Sequence, residues 1–280
     1  MRTAIVTDST AYLTEEELQQ YGIHMVPLTV NIEGQLYDEG KDITDVEFYN
    51  KVRGAKVFPK TTQPPIGKFV ELFEQLANDY DAIITIHLSG GISGTYQGAV
   101  QAGQMVDGID VYAFDSQFAA ALQGYFVLTA AELAQQGVAA QAIIEQLEKQ
   151  RETSRANIVV DDLGHLQRGG RLSAAAALIG GLLQVKPILH FVDGKIVPAE
   201  KVRTRKKALK RVEEILAADA DKYGALNAAV IHANCEEEAR AYMEELAAKY
   251  PSVTFKLSHF GPVVGTHLGE GSIAIGWHAK

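Results

Sequence analysis

The period of apolar and polar positions changes several times along the chain, and each change marks an element. Thr3-Ala4-Ile5-Val6-Thr7 is apolar enough to read as a buried strand. Thr14 and Glu17 have capping-box spacing, so a helix is predicted to start there. His24 to Asn31 alternates as a second strand, and Glu33-Gly34 turns the chain. Thr44 and Glu47 repeat the capping-box spacing ahead of a short helix to about Arg53. Thr61-Thr62-Gln63-Pro64-Pro65 reads as a polar loop whose prolines set a helix start, with Phe69, Leu72, Phe73 and Leu76 on one face. Ala82 to His87 and Ile109 to Phe114 are buried strands, and Gln117 to about Arg151 is helical in two pieces broken near Gly137. Strands alternating with helices in this way predict a doubly wound, mostly parallel sheet.

The texture differs beyond about residue 155. Asn157 to Val160 reads as a strand, Leu163 to Gly170 as a polar helix or loop, and Ser173 to about Leu183 as an alanine-rich helix. Asp193-Gly194 between the apolar runs Val185–Val192 and Lys195–Ala199 predicts a β-hairpin. Thr204 caps a helix to about Ala218, and Asn227–Ala233 is a strand followed by a helix from Glu236 to about Lys249. Ser252–Phe260 and Ser272–Trp277 close the chain as strands around a glycine-rich loop, 261–271. The hairpin implies a mixed sheet. At 280 residues the chain exceeds a usual single core, so the expected fold class is α/β with two α/β domains, 1–154 and 155–280, and a ligand at their interface.

Composition narrows the partners. With 26 Lys and Arg against 35 Asp and Glu the net charge is -9, which argues against general binding to nucleic acid or to an anionic membrane. The single cysteine, Cys235, excludes an intrachain disulfide and a multi-cysteine metal site and points to a reducing compartment. The N-terminus lacks the layout of a signal peptide, and the apolar segment 172–183 is too short to span a bilayer, so a cytoplasmic location is expected. The eight histidines show no metal-ligand spacing, so no metal or other cofactor is expected. Gly269-Glu270-Gly271-Ser272-Ile273-Ala274 matches a dinucleotide fingerprint by letters, but a strand-like run follows it and little chain remains. There is no Walker motif and no GxSxG elbow.

Several candidate sites remain. In Leu88-Ser89-Gly90-Gly91-Ile92-Ser93-Gly94-Thr95, three glycines interleave with hydroxyls between a strand and a helix start. Such a turn suits a phosphate or carboxylate, since the glycines let the backbone come close and Ser93 or Thr95 can cap the helix and leave N–H groups facing the anion; equally, Ser93 is a plain helix cap in a tight turn. His267, in Gly265-Thr266-His267, is a ligand candidate or a surface histidine that hydrogen-bonds its own loop. Lys201 to Arg211 holds seven cations, either a solvated helix face or a patch for an acidic partner or a phosphate. The run 174–177 with Gly180-Gly181 suits close helix packing or the wall of an apolar tunnel.

Six blocks together carry a resemblance: Thr7-Asp8-Ser9-Thr10; Thr61-Thr62-Gln63-Pro64; Leu88 to Tyr96; Leu166-Gln167-Arg168-Gly169-Gly170-Arg171; Lys186-Pro187-Ile188-Leu189; and Gly261-Pro262-Val263-Val264-Gly265-Thr266-His267. In this order, over nearly the whole chain, they resemble the DegV family. The resemblance implies two α/β domains with a long-chain fatty acid between them, in a carrier that is not itself an enzyme. It implies as partner the separate ATP-binding subunit of a bacterial fatty acid kinase, which phosphorylates the presented carboxylate. By the same resemblance the carboxylate ligands are the hydroxyls of Thr61 or Thr62 and of Ser93, within motifs that also contain Gly94, Thr95 and Thr266, with His267 close by. Arg171, Arg203 and Arg205 match positions suited to the kinase or the transferring phosphoryl group. Leu268 and Glu270 stand where the family often has Thr and Pro, and Glu270 has to point away from a bound acid. A monomer is expected. A carboxylate needs positioning more than activation, and burying a chain of about sixteen carbons at ~0.8 kcal/mol per methylene would retain the tail. The alternative is a partner-dependent small-carbonyl kinase component that holds its substrate on His267.

Overall fold

A computed structural model describes residues 2–172 and 186–280. The predicted alanine-rich helix lies outside the described residues.

Strands β1 (Thr3–Asp8), β2 (Ile23–Val26), β6 (Ala82–His87) and β7 (Asp110–Asp115) form a parallel sheet in the order β2-β1-β6-β7. Its strands alternate sides, and helices cover both. Ile5, Ile84, Ile86 and Phe114 face α5 (Ala121–Gln135) and α6 (Ala140–Thr153). Ala4, Val6 and Ile83 face α3 (Ile66–Leu76) and α4 (Thr95–Gly103), where Phe69 and Phe73 are fully buried. Each such phenyl stabilises the layer by roughly 1.5–3 kcal/mol. This is the doubly wound sheet that the alternation predicts.

The second sheet is mixed, with strands in the order β10-β9-β8-β13-β11-β12. They are β8 (Arg155–Val159), β9 (Lys186–Val192), β10 (Lys195–Val202), β11 (Leu226–His232), β12 (Val253–His259) and β13 (Ile273–Ala279). One face packs against α8 (Arg205–Tyr223) and α9 (Glu236–Lys249). The other face looks toward the first sheet's layer, across Ala120, Ala121 and α10 (Pro262–Leu268). The hairpin forms as its Asp-Gly turn requires, with Asp193 at φ 48° and Gly194 at φ 72°. Both capping boxes form, at α1 (Glu15–Tyr21) and α2 (Asp45–Gly54).

Three expectations change. His24 to Asn31 is two strands, because Pro27 lacks the N–H that a continued ladder needs. Beyond it, β3 (Thr29–Ile32) turns into a small antiparallel sheet with β4 (Gln35–Asp38) and β5 (Lys60–Thr62). Thr61 and Thr62 are therefore in a strand, paired with Val30 and Thr29, rather than in a free loop. The glycine-rich loop 261–271 is largely helical, since Pro262 opens α10 and Gly269 at φ 80° ends it.

Candidate functional site

The glycine turn is held by its own polar groups. Ser89 N–H donates to Phe118 O at 2.7 Å, and Gly90 N–H donates to Asp115 Oδ1 at 3.1 Å. The buried Ser89 hydroxyl accepts from Gly91 N–H at 3.1 Å and donates to Gly194 O, at the hairpin tip, at 2.6 Å. A Cβ at Gly91 would lie 2.4 Å from Gly194 O, so only glycine lets the tip dock. Helix α4 starts from Gly94 without a side-chain cap, and Ser93 Oγ instead accepts from Thr95 N–H at 3.3 Å and meets Thr95 Oγ1 at 2.9 Å. Ser93 thus supports the helix start and still faces a cavity.

That cavity, of about 320 Å³, gathers residues from both sheets. Several of its polar members lie close together. Thr61 Oγ1 and His267 Nε2 are 2.8 Å apart. His267 Nδ1 lies where a Cβ on Gly169 would approach it to 2.2 Å, and Arg171 donates from Nη1 to Gly169 O at 2.6 Å. Arg171 Nε then donates to Ile92 O at 3.2 Å, beside Ser93. Thr62 and Gln63 also line it, and the remaining lining is apolar, including Leu28, Leu122, Ile158, Phe191, Ile231 and Phe260.

Burial, with Arg171 and His165 nearby, pulls the His267 imidazole down to about 3, so the ring is neutral near pH 7. Its buried Nδ1 has no hydrogen-bond partner among the described residues. Burial also lowers the Arg171 pKa, though the guanidinium keeps its charge. The cluster therefore offers hydroxyls, a neutral ring and one half-buried cation, a set suited to a carboxylate.

Thr61, Thr62, Ser93, Gly94, His267 and Arg171 all line the cavity. Thr95 and Thr266 do not: Thr95 meets Ser93, and the Thr266 hydroxyl donates to Pro262 O at 2.8 Å. Arg203 is exposed elsewhere. Arg205 is held by Glu238 at 2.7 Å and Asp161 at 3.2 Å and donates to Gly271 O at 2.6 Å, so its charge braces α8 against its neighbours. Glu270 turns from the cavity, accepting from Arg53 Nε at 2.8 Å and Asn234 Nδ2 at 2.7 Å. Among the described residues no group of three His, Cys, Asp or Glu is placed to hold a metal ion, and no helix is long and apolar enough to cross a membrane.

Sequence reasoning gave no role to three buried groups that frame the site. Asp8, ending β1, accepts from Leu88 N–H at 3.1 Å, meets His87 Nδ1 at 2.9 Å and accepts from Thr10. Burial would raise the Asp8 carboxyl, but the hydrogen bond and electrostatic pull of His87, with the bond from Thr10, outweigh it and leave its pKa below the ordinary value. Glu39 accepts from Ser9 Oγ at 2.6 Å, Tyr12 OH at 3.1 Å and Val263 N–H at 2.7 Å, tying the first sheet's rim to α10. Burial pushes its carboxyl up to about 7. The available signal was position: Asp8 and His87 are polar residues at the carboxyl ends of neighbouring parallel strands, where such sheets place their sites.

A family model described as DegV, a family of uncharacterised proteins, matches residues 2–280. The chain belongs to the DegV family. Protein DegV of Bacillus subtilis strain 168 is 54% identical over 281 residues, covering 100% of both chains. The solved structure of that organism's DegV, described as a fatty acid binding protein, superposes with a TM-score of 0.95 at 53% identity, covering 100% of each chain. A DegV family protein from Thermus thermophilus, whose structure is described in terms of fatty acid binding, superposes at 0.94 with 32% identity and covers 100% of both chains.

Proposed function

We propose that this protein binds a long-chain fatty acid between two domains, 1–154 and 155–280, and presents it to a separate ATP-dependent kinase subunit. The observation that carries the reading is the cavity itself: Thr61, Thr62, Gln63, Ser93, Arg171 and His267 supply its polar groups, and the rest of its wall is apolar. The relatives described as fatty-acid binding support it. The carboxylate takes hydroxyl donors from Ser93 and from Thr61 or Thr62, with Arg171 supplying charge; the tail lies along the apolar wall. In the partner's reaction a carboxylate oxygen attacks the γ-phosphorus of ATP, the bond to the bridging oxygen breaks, and ADP leaves with that electron pair. The chain supplies positioning and exclusion of water from the acyl phosphate. The apolar lining favours this reading over a small polar carbonyl held on His267.

Native mass spectrometry of the purified protein, followed by lipid extraction, tests the reading. A stoichiometric fatty acid is expected. A protein that carries none, and takes up none from added hexadecanoate, overturns it.

A further inference from the structure

The wall of the cavity is thin at one place along the second sheet. Strands β8 and β9 are paired only from Asn157↔His190 to Val159↔Ile188, although β8 begins at Arg155 and β9 continues to Val192. Ala156 remains paired with Gly276 of β13, and Phe191 with Ile196 of β10, so the sheet parts between Ala156 and Phe191. A second cleft, of about 640 Å³, lies at that parting. Ala156 and Phe191 line both spaces. The cleft is otherwise polar in character, with Arg151, Arg155, Asn157, His190 and Glu200 around it, and Arg155 is exposed.

The parting is displaced along the sheet from α10, the helix that carries His267. Strand β13 starts beside α10, where Ser272 Oγ donates to Leu268 O at 2.9 Å. Ala274, level with Ile158, is at that near end, and Gly276, level with Ala156, is two residues on, about 7 Å further along the strand. The Phe191 ring is also fixed in place. It packs edge-on to Phe118 with ring centres 5.4 Å apart, and its hairpin is tied to the glycine turn through Ser89.

We propose that Phe191 is the end stop of the acyl cavity, a specificity-determining residue that sets the longest chain the protein accepts. Behind it the polar cleft is the space into which a longer tail would emerge. The inference rests on the fatty-acid reading above. A cavity of about 320 Å³ is near the small end of ligand sites. A long tail therefore reaches its far wall, and the ring there decides length. In Phe191→Ala the cavity and cleft become continuous, and chains blocked by the ring extend into the cleft.

Affinities for hexadecanoic and docosanoic acids, measured by displacement of a fluorescent fatty acid, test this on wild type, Phe191→Ala and Phe191→Leu. The expected result is that Phe191→Ala shifts the affinity ratio toward docosanoic acid by about tenfold or more, with Phe191→Leu between. A nitroxide at the tail end of hexadecanoic acid is expected to stay shielded from a water-soluble relaxation agent in wild type and to become accessible in Phe191→Ala. If wild type binds hexadecanoic acid and neither variant changes the ratio, the end stop is wrong and the fatty-acid reading stands. If wild type binds neither acid, the fatty-acid reading itself fails. Should Phe191→Ala not fold, Phe191→Leu, which keeps most of the buried volume, decides the ratio.

Discussion

At Ser93 a single hydroxyl has two possible uses, at the helix start and in the cavity. It accepts from Thr95 N–H at 3.3 Å, a long bond, and it lines the cavity. Because α4 has no other side-chain cap, Ser93→Ala is expected to cost about 0.5–1 kcal/mol of stability. A hydrogen bond to a charged group contributes about 1.5–3 kcal/mol, so the same substitution is expected to weaken fatty-acid binding roughly ten- to a hundredfold. Urea melts and equilibrium binding on the one variant separate the two effects. Affinity equal to wild type would leave Ser93 only its role at the helix start. Both uses of the hydroxyl were open in the sequence, and a side chain that meets Thr95 and lines the cavity is compatible with both. Thr61 beside His267 was less legible as a contact, since 206 positions separate a strand residue from a helix residue. The surroundings of Arg205 were not legible either: its cation lies in the first turn of α8, and its ion pairs with Asp161 and Glu238 join residues that sequence spacing does not bring together.

Elements with local signals were legible, and those made by distant pairing were not. Both capping boxes and the Asp-Gly hairpin depend on neighbours within four residues, and all formed. Strand β5 is three polar residues whose only reason to be extended is β3, and α10 hides its helix behind glycines. Glu39 joins such distant pieces, linking the rim of the first sheet to α10, with Asp8, Tyr12, Asp45 and His259 around the same space. Its carboxyl is pushed up to about 7 by burial, against an ordinary 4.5. Between these values the folded chain keeps a proton that the unfolded chain has released, so this group's contribution to stability falls as pH rises from about 4.5 to 7. His267, held down to about 3 against an ordinary 6.5, has the opposite slope: its contribution is lost as pH falls from 6.5 toward 3. The two oppose each other in the overlap, so the wild-type curve alone does not separate them. The stability difference between wild type and Glu39→Gln does. Measured by urea melts, it is expected to decline by a few kcal/mol from pH 4.5 to 7, and a pH-independent difference would show that Glu39 keeps an ordinary pKa.

On the scale of the whole molecule, the cavity is the seam between the two main sheets. Ser93 and Leu122 come from the first sheet's layer, Phe191 and Ala274 from the second, and Thr61 from the small sheet. Polar ties cross the same seam at Ser89–Gly194, Tyr125 OH–Ala228 O and Glu39–Val263. A ligand filling it touches every layer at once, so binding adds to the cohesion of the entire fold rather than of one loop. Anything that binds only the folded state stabilises it by RT ln(1 + [L]/Kd), about 2.7 kcal/mol at a hundredfold excess over Kd. For a chain of this length that corresponds to a rise of several degrees in Tm. Delipidation is therefore expected to lower Tm in a single cooperative transition, and added hexadecanoate to restore it in proportion to the logarithm of its concentration. A transition that splits in two on delipidation would mean that the direct contacts across the seam are too weak to couple the sheets without the ligand. A Tm indifferent to hexadecanoate would mean that the seam does not hold a fatty acid.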